Sequence, residues 1–322
     1  MKRLTTLVTA IMVLAAINVS AQQEPQVSHN MFNHMAINPG YAGAENSICA
    51  TALFRKQWLG FEGSPTTFLL SLDAPVPLLK GGLGINLVSD RLGFESNTLF
   101  KLAYAFRMPV GPGAMGIGLM AGFHNKALDF SKLKPEDAFP SEGTQHSNDP
   151  LIRNIYTRES DMLFDIAGGV YYQIPDQMYV GLSASQLLAA TGEYSNSQAP
   201  LNLARHIYFT GGYQYQLNTD FDLLPSLMVK TDLASTQIDI NALALYQKKF
   251  WGGLSYRAQD AIVILLGAHL PQNITAGYAY DVTTSAIGAH GRSSGSHEIM
   301  VRYCFKIVVE PKISSYKNVR FL

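Results

Sequence analysis

The chain has 322 residues, 24 basic and 24 acidic side chains, and only 15% charged residues, against roughly 25% in soluble domains. That neutral balance gives no support for the basic surface a nucleic-acid binder needs. Beyond residue 21 no apolar run reaches the ~18 residues of a membrane-crossing helix, while glycine (27), tyrosine (16) and phenylalanine (16) are abundant, a combination that fits an outer-membrane β-barrel.

At the start, Lys2 and Arg3 precede an uncharged, largely apolar stretch over 4–17, and Val19-Ser20-Ala21 supplies small residues. This pattern predicts a secretory signal over 1–21, cleaved after Ala21, with no cysteine behind it to carry a lipid. Losing Lys2 and Arg3 leaves a slight acidic excess. Residues 22–45 read as an N-terminal periplasmic segment. Met31, Phe32 and Met35 suggest a short helical turn, and Asn38-Pro39-Gly40 a tight one. With Ile37 and Tyr41 the stretch is too apolar to lie bare in water. It is expected to plug or narrow the lumen, with inward glycines Gly82, Gly84, Gly116, Gly118 and Gly122 making room. The alternative is a plain strap across the periplasmic rim.

Residues 46–308 read as an all-β, transmembrane antiparallel β-barrel. Strands that span a membrane alternate lipid-facing apolar residues with small or polar lumen-facing ones. Gly82-Leu83-Gly84-Ile85-Asn86-Leu87 does so, as do 115–123, 180–185, 274–281 and 298–305. Applied along the chain, the pattern predicts strands at 47–58, 65–73, 81–90, 93–108, 114–127, 162–174, 177–186, 204–217, 220–231, 236–247, 249–257, 260–270, 273–282 and 296–307, about 14 in all. The even-numbered connections are short turn formers such as Ile174-Pro175-Asp176-Gln177, while the long ones (128–161, 187–203, 283–295) are all odd-numbered. Bacterial barrels keep short turns in the periplasm and long loops outside. Both termini, including a tail at 309–322, are therefore expected in the periplasm, and the barrel in outer-membrane lipid.

On this register Arg55, Asp281, Glu298 and Arg302 face inward and are expected to form lumen ion pairs rather than a selectivity filter. Ser296-His297-Glu298 has the residue types of a hydrolase triad, but neighbours in a strand point to opposite faces. His29 and His34 miss metal-ligand spacing. No catalytic residues, metal or cofactor is expected, and enzyme activity is not. Cys49 and Cys304 fall in the first and last strands, which closure makes neighbours. Two separate lumen thiols are the favoured reading, and a disulfide stapling the seam is the alternative. The loop at 128–161 is longer than a connection requires, a feature of partner-binding loops.

Several stretches carry a more specific likeness. Met31-Phe32-Asn33 with Asn38-Pro39-Gly40-Tyr41-Ala42-Gly43, then Arg55-Lys56-Gln57-Trp58-Leu59-Gly60-Phe61-Glu62-Gly63-Ser64-Pro65-Thr66-Thr67, follow one another in order. Gly82-Leu83-Gly84 with Asp90 and Gly93, Tyr179-Val180-Gly181-Leu182-Ser183, Gly277-Tyr278-Ala279-Tyr280-Asp281 and Gly295-Ser296-His297-Glu298-Ile299 come next. Together they resemble the PorP/SprF family of the Bacteroidota type IX secretion system, over nearly the whole mature chain. Gly40 departs from the alanine of the family's Asn-Pro-Ala-Tyr. The resemblance implies an outer-membrane component beside the secretion translocon. It would help export or anchor a large surface adhesin with a non-cleaved C-terminal sorting domain, with a link to gliding motility. It implies no catalytic residues. Met31, Phe32, Asn38, Pro39, Tyr41, Trp58 and Phe61 lie in its motifs and are the candidates for partner binding or plugging. A diffusion channel or hydrophobic-solute transporter is the competing reading, and a passive scaffold a third.

Overall fold

A computed structural model of the chain describes residues 24–130, 158–194, 200–286, 288 and 293–306. The expected signal at 1–21, most of the loop at 128–161 and the tail at 309–322 lie outside the described residues. The first seven barrel strands are β1 (Ser47–Lys56), β2 (Thr66–Val76), β3 (Gly81–Leu92), β4 (Glu95–Val110), β5 (Gly113–Asp129), β6 (Arg158–Ile174) and β7 (Met178–Ser185). Next come β8 (His206–Tyr213, resuming at Tyr215–Gln216), β9 (Phe221–Thr231) and β10 (Thr236–Tyr246). β11 (Phe250–Arg257), β12 (Ala261–Leu270), β13 (Ile274–Thr283) and β14 (Ser296–Lys306) complete the set.

Each strand pairs antiparallel with the next, and β1 pairs with β14, so the sheet closes on itself as a 14-stranded barrel. Closure removes the sheet edges, the condition for a β-structure to cross a bilayer. The alternation is the expected one. In β1, Cys49, Leu53 and Arg55 are buried in the interior, while Ile48 and Phe54 are 42% and 47% exposed on the outside. In β10, Asp239, Asn241 and Leu243 face in, whereas Ile238 and Ile240 face out. Charge and amide on one face and a continuous apolar belt on the other is the reverse of a soluble β-protein, whose core would be the apolar side.

The turns after β2, β4, β6, β8, β10 and β12 are short, and the long connections gather at the opposite end. Two differences from the sequence reading are local. The connection at 187–203 contains a small hairpin (Thr191–Glu193 with Pro200–Asn202), held by a cluster of Phe130, Leu163, Tyr194, Leu201 and Leu203. Strand β8 breaks at Gln214, whose amide N–H donates to the Gln177 carbonyl at 2.7 Å instead of to the sheet.

Cys49 and Cys304 sit opposite each other across the β1–β14 seam, 4.1 Å apart at Cα, and their sulfurs are joined. Here the structure differs from the favoured reading of two separate thiols. Alternation could not decide it, because a slip of two residues would keep both side chains on the lumen face yet no longer opposite each other. The closing register does decide it. A thiol assay on denatured, unreduced protein is expected to find no free thiol, with the two cysteines appearing only after reduction.

Candidate functional site

The interior is occupied by the chain's own amino-terminal segment. Residues 24–45 run through the lumen as three short 3-10 turns, Asn30–Phe32, His34–Ala36 and Pro39–Tyr41. The turns are short because Asn33 and Asn38 interrupt the helical path and proline starts the third turn, where its missing N–H costs nothing. The Asn38 carboxamide fixes that third turn twice over. Its oxygen accepts from Gly40 N at 2.9 Å, and its nitrogen donates to the Val170 carbonyl of β6 at 3.0 Å.

Glycine makes this threading fit. A Cβ on Gly118 would lie 2.4 Å from Pro39 backbone atoms, one on Gly116 2.1 Å from the Gly40 carbonyl, and one on Gly82 2.3 Å from that of Ala42. Gly84 leaves room for the Met35 methyl and Gly169 for the Asn38 carboxamide. Gly122, grouped with them from the sequence, instead makes room for the Phe100 carbonyl of the neighbouring strand.

The segment enters at the end that bears the long connections. There the Glu24 carboxylate accepts hydrogen bonds from Tyr208 and Gln186, and Lys230 Nζ donates to its carbonyl at 3.2 Å. Burial alone would raise the Glu24 pKa. The Lys101 ammonium and, after it, His206, the Tyr208 hydroxyl and Lys230 outweigh this and bring it down to about 2. The segment leaves at the short-turn end, where Gly43 N donates to Asp73 (3.1 Å) and Gln173 to the Ala44 carbonyl (2.8 Å). The residues numbered earliest are thus farthest from the start of β1, so the segment expected in the periplasm instead fills the lumen and begins at the long-connection end.

Between the two ends lies a buried ionic cluster. Glu298 accepts the consecutive backbone N–H groups of Ser28 and His29, both at 2.7 Å, and also meets His29 Nδ1 at 2.7 Å. Arg55 reaches Asp281 at 2.7 Å and Glu298 at 3.2 Å. Arg257 bridges Asp239 and Asp281 at 3.3 and 2.9 Å. The Ser28 hydroxyl donates to Asp281 and accepts from Arg55 at 2.8 Å. Charges this far from water are tolerable only when paired and hydrogen-bonded, and here the pairing runs through the plug's own backbone.

Beneath the cluster the packing turns aromatic. Phe32 and His29 lie against Trp251, with ring centres 4.7 and 5.7 Å apart. His34 sits among Tyr41, Tyr171 and Tyr179, the nearest at 4.5 Å. The His34 ring is buried among them. Arg302 donates to the Tyr41 hydroxyl at 2.9 Å and pairs with Glu45 at 3.4 Å. The plug divides the lumen into a smaller chamber of about 230 Å³ toward the long connections and a larger one of about 790 Å³ open to the short-turn end.

Of the candidates read from sequence, Met31, Phe32, Asn38, Pro39 and Tyr41 are all in the plug. Arg55, Asp281 and Glu298 converge, whereas Arg302 lies apart with Tyr41 and Glu45. Trp58 and Phe61 are not in the plug. They occupy the β1–β2 connection at the long-connection end, where Leu59 exchanges backbone hydrogen bonds with Ser294 and Gly295 (2.7 and 2.8 Å) and Phe61 is 42% exposed. Strand β1 carries this connection from the Asn38–Gly43 turn, at the short-turn end, back to the end where the segment enters, and Gln57 there meets Gln26. Sequence reasoning passed over Arg257 and Asp239, although both hold inward positions in predicted strands. It passed over Ser28, and met His29 only as a rejected metal-ligand candidate, because a non-periodic segment gives no parity to read. Ser296 and Glu298 point inward and His297 outward against Tyr278 (Nδ1 to hydroxyl 2.5 Å), so the three form no triad. His29 and Glu298 do form a dyad, but His29 Nε2 has no hydrogen-bond partner among the described residues. Nor do those residues contain a cluster fit to hold a metal ion.

A sequence profile of the PorP/SprF family, described as a type IX secretion system membrane protein, matches residues 19–303. The chain belongs to this family. Comparison with curated protein sequences finds no match. Among solved structures, the PorP/SprF chain is similar to the CymD monoaromatic hydrocarbon channel at 12% identity over 84% of this chain and 91% of that one, with a TM-score of 0.44. It is also similar to the toluene transporter TbuX of Ralstonia pickettii (11%, 80% and 88%, 0.39) and to the KdgM porin (10%, 80% and 99%, 0.37). Scores this low carry no argument about what the lumen of a PorP/SprF protein does. Family and fold together make this an outer-membrane β-barrel associated with type IX secretion.

Proposed function

We propose that this PorP/SprF barrel works without catalysis, as a docking body that helps export a large partner protein or hold it at the cell surface. The partner on this reading is an adhesin with a non-cleaved C-terminal sorting domain, and gliding motility is the process it serves. The observation that carries the reading is the occupied lumen. A segment fixed by buried hydrogen bonds to a wall carboxylate and glycine-tight backbone contacts suits a rigid platform better than a conduit. The exposed Phe61 and the neighbouring Trp58, at the end that the connection rule places outside the cell, are the residues assigned to partner contact. Other secretion components and outer-membrane lipid complete the surroundings, with the C-terminal tail taken as periplasmic and residue 24 lying at the long-connection end.

The test is to recover the barrel from native outer membranes and identify what accompanies it. Recovery of a large surface protein, reduced severalfold by Phe61→Ser with Trp58→Ser, is the expected result. A barrel recovered alone that conducts ions or solutes would replace this reading with the channel.

A further inference from the structure

The larger chamber lies at the short-turn rim, and Met31, Phe32, His34 and Tyr41 of the plug form part of its wall. Its size, about 790 Å³, falls within the roughly 300–1,000 Å³ of ligand pockets, and its walls are nearly evenly divided between apolar and polar groups. Phe32, Tyr41, Tyr171, Tyr179 and Trp251 line it, backed by Leu243 and Leu245.

Four carboxamides share the lining: Asn46, Gln173, Gln177 and Gln214. One of them shows what they can do, since Gln173 already holds the backbone carbonyl of Ala44 at 2.8 Å. The rim charges balance, with Lys248 and Arg302 against Glu45 and Asp176. Arg302 is further engaged by Tyr41 and Glu45. The site therefore offers no net attraction to an ion. Rings for side chains, carboxamides for main-chain groups and no net charge together describe a receptor for peptide. The same lumen already seats one peptide, residues 24–45, by this chemistry.

We propose that this chamber binds an extended, uncharged peptide segment carrying aromatic side chains, presented from the periplasm by another component of the secretion machinery. The proposal rests on the docking-body reading for its partner, but the binding chemistry can be tested without one. Trp251 and Trp58 are the only tryptophans, so Trp58→Phe leaves a single fluorescent reporter in the chamber wall. The purified, full barrel with that substitution is titrated in a zwitterionic detergent with N-acetyl-Phe-Gly-Phe-amide, and with N-acetyl-Ala-Gly-Ala-amide as comparison. The aromatic peptide is expected to give a saturable shift in Trp251 emission and the alanine peptide none. Leu224, a partly buried residue of the lining, is then changed to glutamate. Burying that carboxylate against an apolar ligand should weaken the aromatic peptide roughly tenfold or more, with unchanged heat-modifiable gel mobility reporting an intact barrel. No saturable shift, an equal shift with both peptides, or an unaffected Leu224→Glu variant with native mobility would each overturn the proposal. Failure here leaves recovery of the surface partner untouched, and failure of that recovery leaves the titration untouched, so the two readings fall separately.

Discussion

Replacing Arg55 by methionine is expected to lower the stability of the barrel by roughly 3–5 kcal/mol, the usual cost of breaking a buried ion pair by removing one partner. Arg55 is 1% exposed and contacts Asp281, Glu298 and the Ser28 hydroxyl. Methionine fills much of the same volume, so the loss is mainly electrostatic. Asp281 keeps Arg257, whereas Glu298 is left with the Ser28 and His29 groups alone. Arg55→Lys keeps a charge but not the planar fork that serves two carboxylates at once, and should fall between wild type and methionine. The measurement is the urea midpoint of gel-mobility unfolding, compared at constant slope. Equal midpoints for all three proteins would show that the cluster does not hold the interior together.

Removing the plug should have the larger functional effect. Deletion of residues 24–43 is expected to turn a barrel that is closed in planar bilayers into one that shows stable open-channel steps, because the lumen has no other occupant among the described residues. The deletion also strips Glu298 and Asp281 of the Ser28 and His29 hydrogen bonds, so folding yield should drop with it. Gly118→Val is the variant that separates the two effects. Its side chain would intrude on Pro39 backbone at 2.4 Å, which cannot rotate away, and overpacking of this kind costs about 1–3 kcal/mol. The plug should be displaced in a chain of full length. Gly168→Ala, where the nearest atom would be an ordinary 3.6 Å away, should change neither stability nor conductance. If deletion and Gly118→Val both left conductance as in the parent, the segment would not be the barrier, and the channel reading would regain ground.

The aromatic chamber and the ionic cluster also explain why an open pore is the weaker reading. A conducting lumen needs water along its length, yet here the middle of the barrel is knitted by direct contacts between wall and plug. His29, Arg55, Arg257 and Glu298 are all essentially without solvent exposure. Among the described residues, the sizeable cavities lie toward the two ends.

The strands, their number, the face each residue takes and the end at which each connection lies were legible in the sequence. All of these follow from a period of two and from turn chemistry, which are properties of neighbouring residues. That is why alternation alone places Arg55, Asp281, Glu298 and Cys304 on the inner face, and why the even connections read as short. Contacts between distant parts were not legible. The Cys49–Cys304 bond depends on the closing register, which no local pattern fixes. The separation of Arg302 from the other charges depends on where along the lumen each level falls. The path of the plug was the least legible of all. Residues 24–45 have no period, and their partners lie up to 270 positions away, as between Ser28 and Glu298. Local periodicity thus determined the barrel, and only the tertiary structure, through register and the packing of a non-periodic segment against glycine, decided what fills it.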